Sequence, residues 1–260
     1  MPFTLVGWLE DIDQAAAYAN LAALADQHVT VAGDDIRVPE LNQIIAVAGC
    51  IDTTVAPRAR LVSPSLRRKS NFMVAPLNGQ AGAAQEPDSP QAVVDLRVNP
   101  IPLIVGENLS VETLANPAAV QDQSMLVWLS DKAITPVTGN IFTVRATSAT
   151  AAVANAWTNV PIAFDEDLPR GRYQVVGLRP ESAGMVAARC VFVGGQGWRP
   201  GALGCDLVGD IQDPMFRNGN LGVWGEFEDT DPCTVDVLSI SADATQVFYF
   251  DLIQVREGPR

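Results

Sequence analysis

Histidine is nearly missing from this chain of 260 residues, with His28 the single example. Metal centres built from several imidazoles are therefore excluded. Ser-His-Asp and Cys-His sites would all have to share His28, and no G-x-S-x-G elbow accompanies it. Its plain reading is a partly exposed loop residue. Cysteine is sparse too: Cys50, Cys190, Cys205 and Cys233 are scattered without metal-type spacing. They read as small buried side chains in a reducing compartment rather than as disulfides. Basic residues number 17 against 30 acidic ones, for a net charge of −13. The acids are spread evenly, 14 in residues 1–130 and 16 in 131–260. Such a surface repels phosphate backbones, so no direct nucleic-acid binding is expected. No apolar run approaches the ~18 residues of a membrane-spanning helix. Met1–Leu9 lacks a basic leader and is followed by Glu10, Asp11 and Asp13, so a signal peptide is not expected.

What is present, after residue 28, is a succession of short apolar runs punctuated by Gly, Pro, Asn and Asp, the pattern of an all-β protein. Helical periodicity occurs once. Glu10–Gln27 is alanine-rich, opens on Asp11 and Asp13, and spaces Tyr18, Leu21 and Leu24 at helical intervals. The spacing predicts a helix over 10–27 that packs on a neighbouring surface. In the C-terminal half, eight strands are predicted: 141–146, 157–164, 172–178, 186–193, 198–206, 220–227, 234–240 and 245–255. Eight strands in about 120 residues is the count of one jelly roll.

The first half runs through similar text in the same order. Phe3-Thr4-Leu5-Val6 matches Phe142-Thr143-Val144-Arg145. Asp34-Asp35 and Pro39 match Asp165-Glu166 and Pro169. Ile44–Val47 falls where Val175-Val176 lies, and Arg60-Leu61-Val62 matches Arg189-Cys190-Val191. Gly106-Glu107 matches Gly225-Glu226, Val111–Leu114 matches Val235–Leu238, and Gln123 with Met125–Trp128 matches Gln246 with Phe248–Phe250. Each match is weak alone; their collinearity carries the argument. The expected fold is all-β, two tandem eight-stranded jelly rolls with one N-terminal helix. The first covers 1–133, including helix 10–27, and the second covers 134–260. The polar segment Asn78–Pro90 reads as a surface loop.

Few residue groups suggest chemistry. Glu226 and Glu228 alternate on one predicted strand and would face the same side, as a glycosidase pair could. The acidic turn Asp165, Glu166 and Asp167 is a weak calcium candidate, as is Asp206…Asp210…Asp213. Gly194-Gly195-Gln196-Gly197 reads as a turn, since no Lys and no helix follow. The expectation is no catalytic residue, no resident metal and no cofactor. Arg58, Arg60, Arg67, Arg68 and Lys69 form a basic cluster unusual in so acidic a chain. They read either as a solvated loop or as interface candidates, where one copy would meet an acidic face of its neighbour, with contact to packaged nucleic acid as the lesser alternative. Trp157, Trp198 and Trp224 are the aromatics a sugar-stacking row would use.

Two fused jelly rolls of this length resemble the double-jelly-roll major capsid proteins of tailless icosahedral viruses, with membrane-containing bacteriophages nearest in size. Leu168-Pro169-Arg170-Gly171-Arg172-Tyr173, Arg199-Pro200-Gly201 and Gln246–Leu252 carry the resemblance best. It implies a non-enzymatic structural protein of the virion, assembled in the host cytoplasm. It also implies homotrimers of pseudo-hexagonal outline that tile a shell with neighbouring trimers and a vertex or penton protein, over an internal membrane in some members. The alternatives carried forward are a tandem carbohydrate-binding, lectin-like spike module and a glycoside hydrolase.

Overall fold

The computed structural model describes residues 3–12, 17–26, 28–51, 58–68, 73–76, 78–79, 93–114, 121–194, 197–205 and 212–257. The chain divides into two compact units, Thr4–Ala133 and Ile134–Arg260, with Phe3 grouped with the second.

The first half contains β1 (Phe3–Ile12), β2 (Ala19–Asn20), β3 (Val31–Ala32), β4 (Asp35–Arg37), β5 (Gln43–Ile51) and β6 (Arg58–Val62). A five-residue helix α1 (Pro64–Arg68) follows, then β7 (Met73–Pro76), β8 (Asn78–Gly79), β9 (Val93–Asp95), β10 (Ile101–Pro102), β11 (Asn108–Leu114) and β12 (Gln121–Ser130). One sheet has the order β1-β12-β5-β10, with β8 and β9 also on β5; the other has β3-β4-β11-β6-β7, with β2 also on β11. Strand β11 shows why two sheets form. Leu109, Val111 and Thr113 are buried, while Asn108, Ser110 and Glu112 alternate with them on the outer face.

The second half contains β13 (Phe142–Ser148), β14 (Ala156–Val160), β15 (Ala163–Phe164), β16 (Gly171–Glu181), β17 (Met185–Val191), β18 (Gly201–Leu203), β19 (Gly225–Glu228), β20 (Thr234–Ser239) and β21 (Gln246–Glu257). Its sheets run β15-β13-β21-β16-β19 and β14-β20-β17-β18. Tyr173, Phe216, Phe248, Phe250 and Leu178 fill its core. Phe164 and Tyr173 each stack on Phe227, with ring centroids 5.9 and 5.7 Å apart.

The two halves share more than strand order. Met125 pairs with Gly49 and Val127 with Val47 in the first; Phe248 pairs with Pro180 and Phe250 with Leu178 in the second. Both ladders then slip at the same place. The bulge between Trp128 and Leu129 skips Ile45, and the bulge between Val175 and Gly177 skips Val176. In the other sheet Arg60 lies opposite Glu112 as Arg189 lies opposite Asp236.

Several expectations need correction. The helix over 10–27 is absent among the described residues: 10–12 continue strand β1, and 17–26 are extended or irregular. Alanine propensity loses to ladder pairing there. Leu9 N–H donates to Ala22 O, Leu24 N–H to Gly7 O and Leu21 N–H to Val111 O, at 3.2, 3.0 and 2.9 Å. Leu21 and Leu24 are buried by that pairing rather than by a helical face. Two repeat matches also fail. Asp34-Asp35 sits beside β11, whereas Asp165 follows β15, which pairs with β13 in the opposite sheet. Gly106-Glu107 precedes β11, whereas Gly225-Glu226 opens β19. The predicted strand 157–164 is cut at Pro161, which cannot donate to a ladder; β14 joins one sheet and β15 the other. The predicted strand 220–227 begins only at Gly225, because Gly219 and Gly222 adopt positive φ beneath Val137 O and Thr135 O. Within the loop predicted at 78–90, Asn78-Gly79 instead pairs in parallel with Cys50-Ile51; the remainder lies outside the described residues.

Candidate functional site

The register of the repeat brings one side-chain cluster to the same place in both halves. In the second half, strands β14, β20 and β17 set Asn159, Asp236 and Arg189 side by side. Arg189 Nε donates to Asp236 Oδ2 at 3.0 Å, and Asn159 Nδ2 donates to Oδ1 at 2.8 Å. The Arg189 guanidinium also lies 4.0 Å from the centroid of the Trp157 ring. A second guanidinium, Arg199, approaches Asp236 Oδ2 at 3.6 Å. Arg189, Asp236 and Arg199 are all buried.

The first half repeats this with Tyr18, Asn20, Arg60 and Glu112. Asn20 pairs with Glu112 across β2 and β11, and Arg60 pairs with Glu112 across β6 and β11. Arg60 is bonded to Glu112 Oε2 and stands 3.9 Å from the Tyr18 ring centroid. Asn20, however, turns its amide to Asp34 Oδ2 at 3.2 Å. Beside Glu112 lies an open groove of about 470 Å³, lined by Asn20, Asp35, Asn108, Ser110, Glu112 and Arg67 among others. The sequence placed Tyr18 on the face of the expected helix, and Asn20 was not singled out. The signal was there, since the offset of 139 taking Phe3 to Phe142 (142 minus 3) also takes Tyr18 to Trp157 and Asn20 to Asn159.

The basic cluster is not gathered at one point. Arg58 and Arg67 are exposed, on β6 and α1, while Arg60 is engaged by Glu112 and Tyr18. The Arg68 side chain and Lys69 lie outside the described residues. At the end of α1, Ser63 Oγ accepts from Leu66 N–H as an N-cap, and Glu107 accepts from Ser65 N–H. Burial would raise the Glu107 carboxyl, but the bonds from Ser65 and Ile104 N–H hold it below its ordinary value.

The remaining candidates are engaged or dispersed. Asp165 is paired with Arg145, and Glu166 and Asp167 are exposed. Asp213 caps the short turn Pro214–Phe216 by accepting from Met215 N–H, while Asp206 and Asp210 lie outside the described residues. Among the described residues no three His, Cys, Asp or Glu side chains come together to hold a metal ion. Glu226 and Glu228 do share the outer face of β19, with Phe227 pointing inward. Glu226 is taken by Gln174 and Arg172. Trp224 is buried and Trp157 is covered by Arg189, so the three tryptophans do not form an exposed row. Half-buried His28 donates its backbone N–H to Asp26. Gly194 and Gly197 both adopt positive φ, as a turn requires. The four cysteines are buried thiols. Burial, and next the neighbouring Cys233 thiol, push Cys190 well above the ordinary thiol range. No described helix is long and apolar enough to cross a membrane.

No family model matches the chain. No curated protein matches it either. Among solved structures, the major capsid protein P2 of bacteriophage PM2 aligns over 98% of this chain and 100% of its own, at 11% identity and a TM-score of 0.27. That similarity is too slight to transfer residues or roles.

Proposed function

We propose that this chain is a capsid protein, a tandem pair of eight-stranded jelly rolls whose work is assembly rather than catalysis. The observation that carries the reading is the repeat itself: matching strand order, matching register and a bulge at the same step in both halves. A chain built this way presents one module twice. Three copies then offer six similar modules, which is what a pseudo-hexagonal tile of an icosahedral shell requires. Its partners are copies of itself, neighbouring trimers and a vertex or penton protein; an internal membrane below the shell, as some proteins of this kind have, is a further candidate. Its place is the virion, after assembly in the host cytoplasm. The exposed Arg58 and Arg67, with Arg68 and Lys69, serve contacts to acidic faces of neighbours. The net charge of −13 keeps the unassembled protein soluble and disfavours direct contact with nucleic acid. Electron microscopy of the concentrated protein tests this: hexagonal patches or closed particles are expected, and a field of dispersed single molecules under every condition would refute it.

A further inference from the structure

The repeated cluster is saturated in one half and open in the other. In the second half both oxygens of Asp236 are used: Oδ1 by Asn159, and Oδ2 by Arg189 and Arg199. In the first half the bonds to Glu112 all fall on Oε2, from Arg60. Glu112 Oε1 accepts none from the described residues, because Asn20 donates to Asp34 instead. The second cluster has two guanidiniums for one carboxylate; the first has one guanidinium on its carboxylate, with Asp34 and Asp35 close by.

We infer that the groove beside Glu112 receives a guanidinium, an arginine side chain of a second copy of this chain, as a second guanidinium on this carboxylate, bound at the oxygen that Asn159 fills in the second half. The second-copy source rests on the assembly proposed above. The chemistry fits the groove: a guanidinium is a planar fork of donors, and Glu112 Oε1, Asp35 and the oxygens of Ser110 and Asn108 are acceptors, which outnumber the one cation in the lining, Arg67. The chain also carries arginines to give. Arg58 and Arg170 are both exposed and have no side-chain partner among the described residues. Between molecules of net charge −13, such a contact offsets mutual repulsion as well as fixing orientation.

The test has two arms on the full-length protein. Sedimentation equilibrium compares the wild type with Glu112→Gln and, as a second variant that leaves the Arg60 pair intact, Asp35→Asn. Both should unfold cooperatively and weaken association by about tenfold or more. Association unchanged in both variants would overturn the inference while leaving the capsid reading in place. The second arm titrates N-acetyl-arginine amide, with N-acetyl-lysine amide as control, and follows backbone amide shifts at Ser110 and Glu112. Arginine-selective shifts lost in Glu112→Gln are expected; no shift with either probe overturns the guanidinium site. A wild type that stays monomeric would sink the second-copy source and the capsid reading together, and the titration would then decide the site alone.

Discussion

Asp251 has no exposed surface, yet its surroundings keep it charged. Burial alone would raise its carboxyl, but Arg217, the Asn218 N–H and the Thr143 hydroxyl outweigh that and hold it below the ordinary range. A carboxylate depressed in the folded state contributes stability above its unfolded pKa of about 3.9 and loses it as pH falls through the lower folded value. Asp243, held low against burial by Ser182 and nearby N–H groups, acts in the same direction. Acid unfolding of the second half should therefore concentrate below about pH 4. In Asp251→Asn that dependence should flatten, with a loss of about 3–5 kcal/mol at neutral pH in urea melts. The two copies of the Arg–acid cluster should differ in the same assay. Asp236→Asn removes the negative charge facing two buried guanidiniums and should cost about 3–5 kcal/mol. Glu112→Gln touches a pair whose side chains are 30% and 15% exposed and should cost only about 1 kcal/mol. Equal losses would mean that the open groove does not matter to the pair's energetics. Arg60, Arg189, Glu112 and Asp236 were legible from the repeat, because each lies inside a strand whose apolar neighbours align; Arg199, outside any strand, was not. Their aromatic and asparagine partners in the first half were hidden by alanine-rich text.

That alanine-rich text is the clearest failure at the level of elements. Propensity is a local preference of tenths of a kcal/mol per residue, whereas pairing with β1 and β11 satisfies backbone groups and buries Leu21 and Leu24 together. Hydrogen exchange should accordingly show protected amides at Leu9, Leu21 and Leu24, and rapid exchange at all three would contradict the pairing. Strand β11 was readable from its alternation, and β17 and β20 as short, mostly apolar runs, since both are short-range signals. The split between β14 and β15 was not, because which sheet a short segment joins is decided by long-range pairing; the strand expected at 198–206 is present but shorter, as β18. The shared bulge offers a sharper check. A Cβ at Gly177 would lie 2.5 Å from Asp251 Oδ2 and 2.9 Å from Phe216 O, although the equivalent position in the first half is Ala46. Gly177→Ala should cost about 1–3 kcal/mol or more, since the obstructing atoms include fixed backbone. Ala46→Gly, in the matching ladder, should cost about 1 kcal/mol or less.

At the scale of the whole molecule, collinear matches in the sequence pointed to a duplication, and the ladders give that duplication a register. Five of the matched runs lie on equivalent strands, from Phe3–Val6 with Phe142–Arg145 through Gln123 with Gln246, while the acidic turns do not. Turns align poorly because any acid next to a proline makes one, and nothing in the core constrains where it falls. Assembly is inferred from resemblance and the repeat alone, since contacts between copies leave no periodic mark on a sequence. The most direct test is the mass of the purified protein by size exclusion with light scattering. A stable species near three times 27.7 kDa, or larger closed particles, is expected. A single monomer peak at high concentration would contradict the account.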